Sequence, residues 1–211
     1  MREPATGIIL AGGQSRRMGA DKAFLVLDGQ RLIERVLRVL QQVCGEIIIV
    51  SSDTGPYEAL GVRAVSDSLR GFGAIAGLHA GLQAMGTDLG VAVAVDMPFL
   101  SSPLLRAMVD AAADWDAVIP ALASGTAPAD PARGRAKDVG IHPLHAVYRR
   151  TCLPAIRAAI DRDDRRLSAF IPVVRVRYLG ADEIRLYDPD LRSLVNVNTP
   201  EELRRLERES A

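Results

Sequence analysis

Two cysteines, three histidines and one tryptophan are all that the 211 residues contain of those types, and each scarcity narrows the field. Cys44 and Cys152 lie far apart and without metal-ligand spacing, so a disulfide framework is excluded and both are expected to be buried, reduced thiols. An excess of either charge is also missing. Lysine plus arginine and aspartate plus glutamate each number 26, so no overall field draws in nucleic acid or acidic lipid, and any anion site must be local. No apolar run approaches membrane-spanning length. Met1 to Thr6 shows no succession of basic, apolar and small residues such as a secretory signal carries, which makes the cytoplasm the expected compartment. The lone Trp115, at the end of a helical stretch beside an apolar strand, reads as a packing residue rather than a base-stacking platform.

What remains is an ordinary globular composition, 48% hydrophobic and 25% charged, long enough to bury a sizeable core in one domain. Apolar runs of strand length at Gly7 to Leu10, Ile47 to Val50, Val62 to Val65 and Val91 to Val95 alternate with stretches of helical period. Leu32, Val36, Val39, Leu40 and Val43 make one such stretch, and Leu78, Leu82 and Met85 another. Ser101 and Ser102 before Pro103 read as a helix start. This is the βαβ rhythm of an α/β fold with a mostly parallel central sheet, whose inner strands are apolar throughout because helices cover both faces. Ala121 to Gly140 is rich in alanine, proline, glycine and charge without period and reads as a mobile surface loop. Strands are then expected at His145 to Tyr148, Val173 to Tyr178 and Ser193 to Val197, with helices near Leu153 to Ile160 and from Pro200.

The densest chemistry follows the first strand, in Leu10-Ala11-Gly12-Gly13-Gln14-Ser15-Arg16-Arg17-Met18-Gly19-Ala20-Asp21-Lys22. Glycines at the carboxyl end of a parallel strand let backbone N–H groups approach and cradle phosphate oxygens, and Arg16 and Lys22 add mobile positive charge. A plain strand-to-helix turn would need one or two glycines and no such set of cations. The dinucleotide-binding G-x-G-x-x-G pattern is absent, as is the glycine-lysine-serine or threonine ending of a P-loop. The loop is also longer than either, which suits a chain wrapping a triphosphate.

This segment resembles the L-A-G-G-x-S-x-R-M-G-x-D-K signature of the molybdenum cofactor guanylyltransferases, within the wider nucleotidyltransferase superfamily. Related cytidylyltransferases typically carry proline before the lysine, where Asp21 stands here. Further elements of the resemblance are Asp96, Pro98 and Phe99 in a D-x-P-F element, His142-Pro143-Leu144-His145-Ala146-Val147-Tyr148 in an H-P-x-x-A-x-Y element, and Asn196-Val197-Asn198-Thr199-Pro200-Glu201-Glu202-Leu203 in a closing N-x-N-T-P-E-D/E-L motif. The family's G-P-L-A-G appears as Gly73-Ala74-Ile75-Ala76-Gly77, without the proline. The resemblance covers Gly7 to about Leu206.

The implied fold is a Rossmann-like three-layer αβα sandwich of the nucleotide-diphospho-sugar transferase type, a single domain over 1–211 with a nucleotide-binding half at about 1–120 and an acceptor-binding half at about 141–211. The implied activity is transfer of GMP from GTP to molybdopterin, with pyrophosphate released. A related transferase using CTP or another acceptor, and a nucleotide- or cofactor-binding adaptor without turnover, remain open. Asp96, at a strand's carboxyl end, is the expected magnesium ligand, since Mg²⁺ needs only one or two carboxylates beside phosphate oxygens and waters. A turn or helix cap is its alternative role. Arg16, Lys22 and Asp96 are the expected catalytic groups. Leu10, Ala11, Gly12, Gly13, Ser15, Lys22, Asp53, Asp67 and Asp96 are expected to bind nucleotide. Asp67 is equally readable as a turn cap. Asn196 and Asn198 are expected to face the acceptor, while Thr199 with Glu202 reads as a capping box. Molybdenum insertion proteins or apo-molybdoenzymes are expected as transient partners. His142 and His145 are read as structural, as lone histidines in strands usually are, and the attacking phosphate needs no base.

Overall fold

The computed structural model describes residues 3–11, 22–67, 69, 71–123, 139–197, 202 and 205. Strand β1 (Ala5–Leu10) is followed, beyond a short 3-10 turn at Lys22–Phe24, by β2 (Val26–Leu27), β3 (Gln30–Arg31) and helix α1 (Leu32–Leu40). There follow β4 (Glu46–Ser51), β5 (Arg63–Ser66), α2 (Ala74–Ala84), β6 (Leu89–Ala94), α3 (Ser102–Ala111), β7 (Ala117–Ala123), β8 (Val139–Ile141), β9 (His145–Arg149), α4 (Leu153–Asp161), β10 (Val176–Leu179) and α5 (Ala181–Arg185). The tight β2–β3 hairpin turns on Asp28 and Gly29, both at positive φ (50° and 75°), the pairing that a two-residue turn of matching twist requires.

One eight-stranded sheet has the order β10-β7-β9-β6-β1-β4-β5, with β8 added against β7. β6, β1, β4 and β5 are mutually parallel, and β10 is parallel to β7. β9 runs antiparallel between β6 and β7, so the sheet is mixed at the point where the two parallel sets meet. Alternate residues of the inner strands feed two cores. Ile9, Ile49, Val91 and Val93 pack with Ile33, Val36, Leu104 and Met108 of α1 and α3. Ile8, Leu10, Ile48 and Val50 pack with Ile75, Leu78, Leu82 and Ile156 of α2 and α4 on the other face. This two-sided cover is what the unbroken apolar runs demand, and the three layers follow from it.

Helix α2 comes close to the sheet because it carries glycine where it crosses β1. A Cβ on Gly77 would fall 2.4 Å from Leu10 Cδ2, and one on Gly81 would fall 2.4 Å from Ile8 Cγ2. Gly73, the residue before the helix, has φ +61°, a conformation that side-chain-bearing residues seldom adopt. At the start of α3, the Leu104 N–H donates to Ser101 Oγ (3.3 Å), the cap that Ser101 before Pro103 led one to expect. Both cysteines are buried, unpaired thiols, and burial pushes each up to about 12.

Four expectations need correction. Ser193 to Val197 is not a strand: Leu191 is left-handed (φ 56°), Arg192–Leu194 forms a 3-10 turn, and the Asp188 carboxylate accepts the Ser193 N–H (2.9 Å) that a ladder would have used. The strand expected at Val173 to Tyr178 begins three residues late, because a 3-10 segment containing Pro172 runs through Leu167–Val173. The stretch Ala121 to Gly140 is not loop throughout, since β7 extends to Ala123 and pairs with β8 from Val139; residues 124–138 lie outside the described residues. Trp115 is 36% exposed, in a turn after α3 at the sheet's margin, and not in either core. The closing helix from Pro200 lies outside the described residues except for Glu202 and Arg205, both helical.

At the amino edge, Asp116 ties three segments together. Its carboxylate accepts the Arg175 N–H (3.0 Å), Arg175 Nε (3.1 Å) and the Thr151 hydroxyl (2.9 Å). The Arg175 hydrogen bond first, then the other donors, lowers its pKa from 3.8 to about 2 against the opposing effect of burial. The folded value lies below the unfolded one, so this stabilisation is complete above about pH 4 and is lost as pH falls towards 2. Replacing Asp116 with Asn is expected to lower the urea midpoint at neutral pH and to flatten its decline between pH 4 and 2; an unchanged acid limb in the variant would refute this assignment.

Candidate active site

The parallel register brings the carboxyl ends of β1, β4, β5 and β6 to one edge: Leu10 pairs with Val50 and Ala94, and Ser51 with Ser66. Chain connections leave β1 towards β4 on one side, while β6 lies on its other side. A crevice forms between such diverging connections, just outside the strands' carboxyl ends. Beyond β1 lie Ala11 and the glycine- and cation-rich segment; beyond β6 lies Asp96.

Leu10 and Ala11 anchor the start of that segment. The Leu10 carbonyl accepts the Val95 N–H (3.2 Å), and the Ala11 N–H donates to the Val50 carbonyl (2.9 Å). Buried Tyr57 donates its hydroxyl to the Ala11 carbonyl (3.3 Å) and stacks on Phe24, ring centroids 5.6 Å apart. The described residues on either side of it are thus fixed, Ala11 at the end of β1 and Lys22 at the start of a 3-10 turn. Of the expected phosphate-loop residues, Gly12, Gly13, Ser15 and Arg16 lie outside the described residues.

Lys22 and Asp96, 74 residues apart, meet. Lys22 Nζ is 3.4 Å from Asp96 Oδ2, and the two side chains are only 19% and 17% exposed. Charge-assisted N–H···O bonds usually close to about 2.7–2.9 Å, so this pair is loose. Asp96 Oδ1 is buried and accepts no hydrogen bond among the described residues. An under-satisfied buried carboxylate oxygen requires a reason, and an ion that completes its shell is one. No group of three or more histidine, cysteine or acidic side chains gathers for metal binding among the described residues.

Asp67 stands directly after β5, half-buried, and burial raises its pKa. Asp53 lies two residues past β4, exposed, with its carboxylate accepting the Gly55 N–H (3.1 Å) in a local turn. Both share the carboxyl edge with Asp96, but Asp53 already has a structural task. Asn196 is exposed, and the amide of its neighbour Val197 donates to the Asp96 carbonyl (2.8 Å). The closing motif is thus stitched to the Asp96 backbone, a link invisible in the spacing of either motif. Asn198 lies outside the described residues. His145 is wholly buried, its Nδ1 hydrogen-bonded to the Ser193 carbonyl (3.1 Å), and desolvation lowers its pKa to about 4. It is neutral at physiological pH and secures the turn leading to Asn196, as expected of a structural histidine.

Comparison with known proteins places this geometry. A family profile described as the MobA-like NTP transferase domain matches residues 7–177. A relative from Chloroflexus aggregans named a probable molybdenum cofactor guanylyltransferase is 37% identical, the alignment covering 94% of this chain and 91% of that protein. One from Desulfosudis oleivorans named a molybdenum cofactor guanylyltransferase is 36% identical over 97% and 95%. The crystal structure of molybdopterin-guanine dinucleotide biosynthesis protein A from Archaeoglobus fulgidus superimposes with a TM-score of 0.77 at 28% identity, covering 97% of this chain and 98% of the other. With fold and sequence in agreement over nearly the whole length, the chain belongs to the MobA-like NTP transferase family.

Proposed function

We propose that the chain transfers GMP from GTP to molybdopterin, forming molybdopterin guanine dinucleotide and pyrophosphate. The observation that carries this reading is the meeting of Lys22 with Asp96 at the β1/β6 crevice, in a chain whose relatives bear the guanylyltransferase name. The acceptor's terminal phosphate is an anion near neutral pH. One of its oxygens attacks the α-phosphorus of GTP in line; a new P–O bond forms as the bond to the β-phosphate oxygen breaks. No side chain has to remove a proton, so catalysis rests on positioning and charge.

Backbone amides of Gly12, Gly13 and Ser15, with Arg16, would cradle the polyphosphate at the end of β1. Lys22 would offset charge gathering on the departing pyrophosphate. Asp96 would hold Mg²⁺, which when bound neutralises phosphate charge. Asp67 and Asp53 would face the base and ribose from the neighbouring strand ends, and Asn196 and Asn198 the acceptor. The nucleotide half is then about 1–120 and the acceptor half about 141–211. No described helix is long and apolar enough to cross a membrane, in keeping with a cytoplasmic enzyme passing its product to apo-molybdoenzymes.

Pyrophosphate release with purified protein, magnesium, molybdopterin and either GTP or CTP tests the reading. Release with GTP is expected, and Lys22→Ala should slow it by roughly two orders of magnitude, the usual loss for one such electrostatic group. Release with CTP alone would reassign the base, and nucleotide binding without release would leave an adaptor.

A further inference from the structure

A second concavity, of about 450 Å³, is lined by α1, by the turn that follows Asp96, and by the Asp188–Arg192 segment. That volume is in the range of small-molecule sites, roughly 300–1,000 Å³. It greatly exceeds what a bare ion needs. Its wall is of two kinds. Val39, Pro98, Phe99 and Leu100 supply apolar surface, while Arg35, Arg38 and Arg192 supply guanidinium groups.

Arg192 lies over the Phe99 ring, 4.3 Å from its centroid, and Arg35 flanks the same ring at 5.9 Å. Arg35 is matched by Asp28 (3.4 Å). Asp188, the acid in the lining, already accepts the Ser193 N–H. Arg38 and Arg192 form no ion pair among the described residues, although most arginines described in this chain do, in a protein whose charges balance overall. Two unmatched guanidinium groups beside an aromatic wall fit a dianion on a flat body, because the planar fork of arginine matches phosphate oxygens and its face stacks on rings.

We infer that this cavity binds a small aromatic phosphate monoester, its ring against the apolar wall of Val39, Pro98 and Leu100 beside the arginine-covered Phe99, and its phosphate on Arg38 and Arg192. None of these residues has a part in the GMP transfer proposed above, so the two readings stand or fall separately.

Backbone amide NMR of the full chain, titrated with phenyl phosphate and in parallel with inorganic phosphate, tests the inference. Phenyl phosphate should produce saturable shifts at Phe99, Ser101 and Arg38, with tighter binding than inorganic phosphate. In Arg38→Gln/Arg192→Gln, its affinity at those amides should fall by about tenfold or more, the scale of losing charge-assisted bonds. Pyrophosphate release from GTP should persist. No saturable shift at those amides in the unsubstituted protein would overturn the inference, as would undiminished binding in the folded double variant. Equal affinity for inorganic phosphate would overturn the aromatic part of it.

Discussion

Asp96→Asn is expected to reduce pyrophosphate release by roughly 10²–10³-fold, the scale of losing a group that acts on transition-state charge. The fold should survive. Asp96 Oδ2 has a loose partner in Lys22 and Oδ1 has none among the described residues, so the carboxylate contributes little to stability in the apo-protein. An amide of the same shape keeps the backbone carbonyl that receives the Val197 N–H. The unfolding midpoint of the variant should therefore stay within about 1 kcal/mol of the parent, while magnesium-dependent GTP affinity falls. A variant that lost stability and activity together would show Asp96 to be a structural turn residue, the other role open to an aspartate in this position.

The second large effect is on the fold. Gly81→Val should destabilise the protein by about 3 kcal/mol, the upper part of the usual range for overpacking, lowering Tm by roughly 6–12 °C for a chain of this size. The site of Gly81 offers no relief. Its Cβ would meet Ile8 Cγ2 at 2.4 Å and Val50 Cγ2 at 3.3 Å, both branched methyls fixed in central strands. Gly45→Ala, where nothing lies within 4 Å of the added carbon, serves as the control and should change Tm little. Equal melting temperatures for the parent and Gly81→Val would mean that α2 does not lie as close to β1 as described.

Much of this was legible in the residues because the information is local. Unbroken apolar runs specify strands covered on both sides, and the position of Asp96 just after one of those runs places it at a strand's carboxyl end. Ser101 before Pro103 specifies a helix start from three neighbouring letters. The features that escaped depend on distant partners or on turn chemistry. β9 reads like its parallel neighbours, and only its place between β6 and β7 sets it antiparallel. Ser193 to Val197 has strand-like composition, yet the Ser193 N–H is taken by the Asp188 carboxylate and the Ser193 carbonyl by His145 Nδ1, the two backbone groups a ladder would require. The Asp28–Gly29 hairpin was detectable in principle, since that pair between short apolar runs is a strong turn signal. The Val197 amide on the Asp96 carbonyl was not, because nothing in either motif names the other. Trp115 misled because an apolar strand follows it, while its turn between Asp114 and Asp116 leaves it 36% exposed at the sheet's margin.

The most direct measurement is a crystal structure with GTP and manganese in place of magnesium, using the anomalous signal to locate the ion. The expected result is a metal peak about 2.1 Å from Asp96 Oδ1, with the triphosphate between Ala11 and Lys22. A triphosphate bound away from the β1/β6 crevice, or a metal with no contact to Asp96, would contradict the proposed site.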